Sequence, residues 1–306
     1  MNALTSGEQE LMTKPTATPD DLFKSEIENI APFIDALAGL WEQFNTLDIF
    51  GNRPELPTLE NARETLRCGE PLCAVLPSPQ SAPSQKLLLD ILKLYEQFLP
   101  DRAGPVVTLR QEFELDEELS GKFISDLLAN DARAIIQFAL QRQIPEDLIS
   151  LLGVHAGRPW RAYCARSLPS ELEFKTWQRG ECPVCGHRPA LAHIDSAEGH
   201  RTLWCMHCGT SWPHQRIQCA FCGTREQDNL EILHPEQTER YRVQTCSECK
   251  RFLKEIRSDQ GVDDYPFDQA YLGTGLLDQM AWEEGYIQDS VLLVPEVKPQ
   301  ATVTDD

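Results

Sequence analysis

No run in this chain approaches the ~20 apolar residues needed to span a bilayer, and its opening, Met-Asn-Ala-Leu-Thr-Ser-Gly-Glu, lacks the basic run and apolar core of a secretory or twin-arginine leader. Basic residues are scarce: 28 Lys and Arg stand against 48 Asp and Glu, for a formal net charge of −20 over 306 residues. That shortage argues against a general nucleic-acid binder, whose phosphate contacts require a cationic surface. The signatures of nucleotide and nucleophile chemistry are also missing, with no Gly-x-x-x-x-Gly-Lys, Gly-x-Gly-x-x-Gly, Gly-x-Ser-x-Gly or His-Glu-x-x-His. Gly273-Thr-Gly275 is a fragment of a glycine-rich loop without a preceding strand. We assign no catalytic residue and expect a soluble, cytoplasmic, non-enzymatic protein with no stable membrane insertion.

What the chain does have is cysteine, and its placement is regular. Eight of 11 cysteines form four Cys-x-x-Cys pairs: Cys182/Cys185, Cys205/Cys208, Cys219/Cys222 and Cys246/Cys249. A two-residue gap lets both thiolates of a tight turn face one ion. Glycine follows the first three pairs and can take the left-handed backbone such a turn requires, whereas Lys250 follows the fourth. The pattern repeats: a knuckle, an extended run, a strand entering the next knuckle, then another strand. Spacers of 19 and 23 residues suit two ribbon sites. We pair 182/185 with 205/208 as site 1 and 219/222 with 246/249 as site 2, with cross-bracing of first with third and second with fourth as the alternative. Two metal ions per chain are expected; four-sulfur coordination suits zinc and iron alike. Redox disulfides are the rival reading, disfavoured because four tandem pairs are unlike the single reactive pair of an oxidoreductase.

The remaining candidates carry less. Cys68, Cys73 and Cys164 are expected to be ordinary thiols outside the sites. His187 and His207 lie at the knuckles and are expected to tune thiolates rather than ligate. Arg158, Trp160, Arg161, Tyr163 and Arg166 are expected to form a solvated helix face, with a partner-binding surface as the alternative.

Before residue 181, apolar residues recur at three- and four-residue intervals between proline-rich breaks, predicting an all-α region. Ile27, Ile30, Ile34, Leu37, Leu40, Trp41 and Phe44 share a face after the Thr18-Pro19-Asp20 start signal, with a kink or break expected at Pro32. Leu88, Ile91, Leu92, Tyr95 and Leu99 form a second stripe, and Phe123 to Phe138 a third region of one or two helices. Short helices are expected over 57–69, 145–152 and 158–178, and a linker over 76–83. Beyond Gly180 the pattern becomes short alternating runs: 190–195, 201–204, 212–218, 230–233, 241–244 and 252–256. Residues 268–284 suit one amphipathic helix weakened by Gly273 and Gly275, and the last dozen residues are expected to fray. Formal charge divides as −10 over 1–180, −1 over 181–260 and −9 over 261–306, which favours a partner with a basic patch.

These features together resemble the FdhE family of formate dehydrogenase accessory proteins. The match is carried by Cys182-Pro-Val-Cys185-Gly, the order of the eight cysteines, Asp263-Asp264, Leu277-Asp278 and Glu283-Glu284-Gly-Tyr286. The resemblance implies an α+β fold: an all-α N-terminal helical domain, two tandem rubredoxin-like or zinc-ribbon four-cysteine β modules, and a short C-terminal helix. We divide the chain into a flexible N-terminus (1–19), a helical domain (20–180), ribbons at 181–217 and 218–260, and an acidic C-terminal helix and tail (261–306). It further implies iron at both sites, a homodimer as an accessible state, and a maturation factor that binds the catalytic subunit of formate dehydrogenase before export. The alternatives are an iron electron carrier that reduces a client cofactor or thiol and a zinc-ribbon nucleic-acid module. Which metal is loaded, where the client sits and which maturation step is served are not legible in the residues.

Overall fold

A computed structural model describes residues 18–45, 54–258 and 266–288. Most of the expected flexible N-terminus, the fraying tail and Asp263-Asp264 lie outside the described residues. Helix α1 (Pro19–Asn45) starts where Thr18 and Asp21 cap each other: the Asp21 carboxylate accepts from Thr18 Oγ1 at 2.7 Å, and Asp21 N donates to Thr18 Oγ1 at 3.2 Å. It runs through Pro32 without a break. Packing explains the tolerance, because Phe33, Ile34 and Leu37 immediately beyond the proline are buried.

The helical region continues with α2 (Leu59–Arg67), α3 (Ser81–Phe98), α4 (Ala103–Leu115), α5 (Glu117–Leu128), α6 (Ala132–Gln141) and α7 (Glu146–Ser167). Thr58, Asp116 and Asp131 cap α2, α5 and α6 through side-chain oxygens. The expected linker over 76–83 is shorter than its proline content suggested, since α3 begins at Ser81 with Pro83 in its first turn. The two helices expected over 145–152 and 158–178 are one, α7, which contains Pro159 and ends at Ser167. A missing backbone donor there is outweighed by burial of almost the whole middle of the helix, from Leu152 to Ala162.

The ribbons supply β1 (Leu191–Asp195), β2 (Arg201–Trp204), β3 (Ser211–His214), β4 (Leu230–Leu233), β5 (Tyr241–Cys246) and β6 (Arg251–Ser258). Each ribbon is antiparallel, and β1 pairs with β6 in parallel, so both join one six-stranded sheet of order β3-β2-β1-β6-β5-β4. The expected C-terminal helix is two: α8 (Phe267–Leu272) and α9 (Gly275–Glu283). They divide at Gly273, where the chain passes so close to α1 that an added Cβ would sit 2.6 Å from Ile27 Cα.

Alternate strand residues face opposite ways. One sheet face presents Leu191, Trp204, Val243, Phe252 and Ile256 to Phe23 and Ile27 of α1 and to α8 and α9. The other presents Ala192, Leu203, Trp212 and Leu253 to the helical core. Helix α1 therefore serves both cores. Lys254, 1% exposed, donates to Tyr271 O at 2.7 Å and Asp278 at 2.8 Å, which fixes α9 on the sheet. Arg158 of α7 binds Asp268 of α8 through both nitrogens at 2.5 and 2.8 Å and Met206 O at 2.7 Å, stacked over Trp41.

Two expectations follow. Gly273→Ala should lower stability by about 1–3 kcal/mol through overpacking, whereas Gly275→Ala, which meets nothing within 4 Å, should stay within about 0.5 kcal/mol; chemical denaturation of both variants checks this. Burial, followed by the nearby Arg158 charge, pushes His155 down to about 3, and its ring nitrogen sits 2.7 Å from the Tyr95 hydroxyl. An unfolded histidine titrates near 6.5, so the unfolded chain takes up a proton that the fold excludes, and stability falls as pH drops from about 6.5 towards 3. His155→Gln should flatten the dependence of unfolding free energy on pH between 4.5 and 6 by roughly 1.4 kcal/mol per unit; an unchanged slope would show that His155 is not the group excluded.

Candidate metal centres

Each knuckle is built the same way. The amide four residues after its first cysteine returns to that cysteine's carbonyl: Gly186 to Cys182 at 2.9 Å, Gly209 to Cys205 at 2.9 Å, Gly223 to Cys219 at 3.1 Å and Lys250 to Cys246 at 2.8 Å. All four residues have positive φ, between 58° and 80°. Lys250 therefore accepts the left-handed backbone that glycine takes elsewhere, a conformation that costs a residue with a Cβ roughly 1 kcal/mol. Its ammonium lies 5.8 Å from the Tyr286 ring.

The strands bring the knuckles together as two groups, Cys182, Cys185, Cys205 and Cys208, and Cys219, Cys222, Cys246 and Cys249, with the sulfurs of each group within 4.8 Å of one another. In site 1, Cys182–Cys208 and Cys185–Cys205 are 3.5 Å apart. In site 2, Cys219–Cys249 and Cys222–Cys246 are 3.7 Å apart. A disulfide would need about 2.05 Å. A tetrahedron with metal–sulfur bonds of about 2.3 Å has an edge of about 3.8 Å. The donor set and spacing thus fit a tetrahedral thiophilic ion at each site, with the coordination filled by protein. Zinc and ferric or ferrous iron both meet this description.

Electrostatics points the same way. Burial raises the Cys182 and Cys185 thiols well above the ordinary range. Four thiolates that close need a cation to remain deprotonated, so ion binding displaces protons and weakens as pH falls. In site 2, burial raises Cys222 to about 11, while the hydrogen bond from Cys219 lowers Cys249 to about 5.

The two sites differ in exposure. All four site 1 cysteines are buried, whereas Cys222 is exposed and Cys249 half-buried in site 2. Site 1 lies against α7, and Arg161, 3% exposed, feels the charges of Cys185, Cys205 and Cys208. Its guanidinium donates to Leu127 O at 2.5 Å and Asn130 Oδ1 at 2.9 Å. A four-thiolate site keeps a net charge of about −2 with a divalent ion or −1 with a trivalent one, and Arg161 is a buried counter-charge for it.

The basic and aromatic cluster ahead of the ribbons divides: Trp160 and Arg161 are buried among the helices, the sheet and site 1, Arg158 and Tyr163 are partly buried, and Arg166 alone is exposed as a solvated face would be. Sequence reasoning missed this role, because helical spacing does not reveal which side of α7 meets a distant ribbon. His187 and His207 stand outside both sulfur groups, stacked on each other with centroids 3.7 Å apart. His187 Nδ1 meets Cys185 O at 3.2 Å. Burial holds His187 well below the usual imidazole range, so it stays neutral. Cys68 is exposed, while the buried Cys73 and Cys164 share a thiol hydrogen bond. Cys73 N also donates to Val184 O at 2.7 Å, which ties the segment after α2 to the first knuckle.

No protein-family model matches the sequence. Curated relatives do, each named Protein FdhE homolog. The one from Aquifex aeolicus is 27% identical over 168 residues, 54% of this chain and 58% of the relative. That from Haemophilus ducreyi is 25% identical over 217 residues, 69% and 67% of the two chains. That from Rhizobium meliloti is 29% identical over 104 residues, 32% and 34%. The chain is thus similar to proteins named FdhE homolog. The matches span between about a third and two thirds of the relatives' own lengths. The crystal structure of the FdhE protein from Pseudomonas aeruginosa has the same fold, with a TM-score of 0.54 over 92% of this chain and 98% of that one at 21% identity. Among the described residues no helix is long and apolar enough to cross a membrane.

The asymmetry of the two sites has a measurable consequence. With both sites loaded, excess chelator at pH 7 should remove one equivalent quickly from site 2 and the second at least about tenfold more slowly, because access to site 1 requires opening of a buried interface. Cys222→Ser should abolish the fast phase and spare the slow one. Simultaneous loss of both ions would contradict the assignment.

Proposed function

We propose that this chain is an accessory factor for formate dehydrogenase that holds the immature catalytic subunit in the cytoplasm before its export. The eight site cysteines are the ligands in this reading, and the ions are architectural. The observation that carries it is the completeness of both sulfur sets: four protein donors satisfy a tetrahedral ion and leave no position for substrate or water. A bound ion here would supply cross-linking of distant strands, and site 1 would brace α7 against the sheet. Similarity to proteins named FdhE homolog supports the formate dehydrogenase connection, and the acidic total suits a partner with a basic patch.

Exposure of Cys222 supports a second reading, in which iron at site 2 passes electrons to a client cofactor or thiol. Metal analysis and visible absorption of protein purified anaerobically from its host, with and without dithionite, separate the two. Two zinc ions without a bleachable band favour architecture; two irons with a reversible band whose reduction tracks client activation favour electron transfer. Client capture tests the first reading directly. Folded Cys222→Ser protein that has lost site 2 metal should retain less of the catalytic subunit than wild type in a pull-down, by about tenfold. Unaltered capture would remove the site from client holding.

A further inference from the structure

The sheet ends in two strands whose outer edges differ. β3 carries Pro213, which has no N–H to offer an incoming strand. β4, Leu230-Glu-Ile-Leu233, has no proline. It pairs with β5 on one side, and among the described residues no strand pairs with the other. An uncovered edge of this kind is a template for another chain.

Beside that edge, Ile217 is 51% and Ile232 38% exposed. With Leu230 they form the apolar wall of an open cavity of about 280 Å³. Its polar wall includes Arg216, Arg242 and Glu255. Glu255 is buried and holds two guanidinium groups: Arg242, at 3.0 Å from Nε and 2.9 Å from Nη2, and Arg201, at 3.2 Å from Nη2. With Arg216 exposed at the rim, the cavity is locally cationic in a chain whose total is −20. Glu231 does not offset this charge, since it alternates to the opposite face from Ile232.

We propose that β4 and this cavity receive an extended segment of a partner protein. Its backbone adds a strand beside β4, its alternate apolar side chains pack on Ile217, Leu230 and Ile232, and one Asp or Glu pairs with Arg216. Main-chain pairing supplies affinity and the side-chain pockets supply specificity. A single carboxylate within an otherwise neutral or basic segment meets Arg216 at contact distance, inside the roughly 8 Å over which salt screens the acidic remainder of the chain. The segment would lie next to the exposed metal site, because Leu230 pairs directly with Cys246. This deepens the client-holding reading and rests on it for the partner's identity alone.

The test uses the full metal-loaded chain and a random ten-residue peptide library displayed on phage. Enrichment of sequences with alternating apolar residues and one Asp or Glu is expected. The selected peptides should bind Arg216→Glu and Ile232→Lys chains at least tenfold more weakly, and their binding should slow hydrogen exchange across 230–233. Both changes are at exposed positions, and unaltered melting temperatures establish that the variants fold. Four results would each overturn the proposal: no enrichment, selection of peptides without Asp or Glu, equal affinity for both variants, or equal affinity after proline replaces alternate peptide residues. Capture of the formate dehydrogenase subunit by a chain that fails these peptide tests would leave the accessory reading standing and place the client elsewhere.

Discussion

Four buried sulfur atoms within 4.8 Å of one another form the constraint on which much of this structure depends. Burial raises the Cys182 and Cys185 thiols, so a cation bound there would displace their protons, and the residual negative charge would need its own compensation. Arg161 supplies it from α7, fixed by a carbonyl and an amide oxygen of the helical region. Site 1 thereby joins two regions that share little sequence character. The second site, built on the same knuckle, sits at the surface with Cys222 exposed. Like cysteine sets thus stand in unequal surroundings because the protein around them differs.

A second set of polar contacts completes the assembly. Arg158 binds α8 and the second knuckle, Lys254 binds α9, and Glu255 gathers Arg201 and Arg242 beneath the sheet. Breaking one partner of such a buried pair costs more than forming it gains, because the remaining charge is left without water. The Leu277-Asp278 motif in the chain's last segment is explained by this arrangement: Leu277 enters the sheet's core and Asp278 meets Lys254.

Local features were legible in the residues. The Cys-x-x-Cys turns, the short alternating strands and the apolar helical stripes all arise within a few residues, and the structure places 201–204 and 230–233 as strands with the expected bounds. Errors clustered where packing overrules propensity. Pro159 lies inside one continuous helix because its neighbours are buried, and a close approach to Ile27 divides the C-terminal helix at Gly273. Lys250 takes a backbone that its side chain disfavours because the surrounding knuckle requires it.

By itself, the sequence determined the chemistry: eight thiols in four turns, an acidic total and a change of periodicity at residue 180. These are properties of spacing and composition, which survive in an unfolded chain. Tertiary structure decided the rest: the parallel joining of β1 to β6, the double duty of α1, the burial of Trp160 and Arg161, and the unequal exposure of two like sites. Each depends on surfaces far apart in the chain meeting and excluding water, which no local pattern of residues encodes.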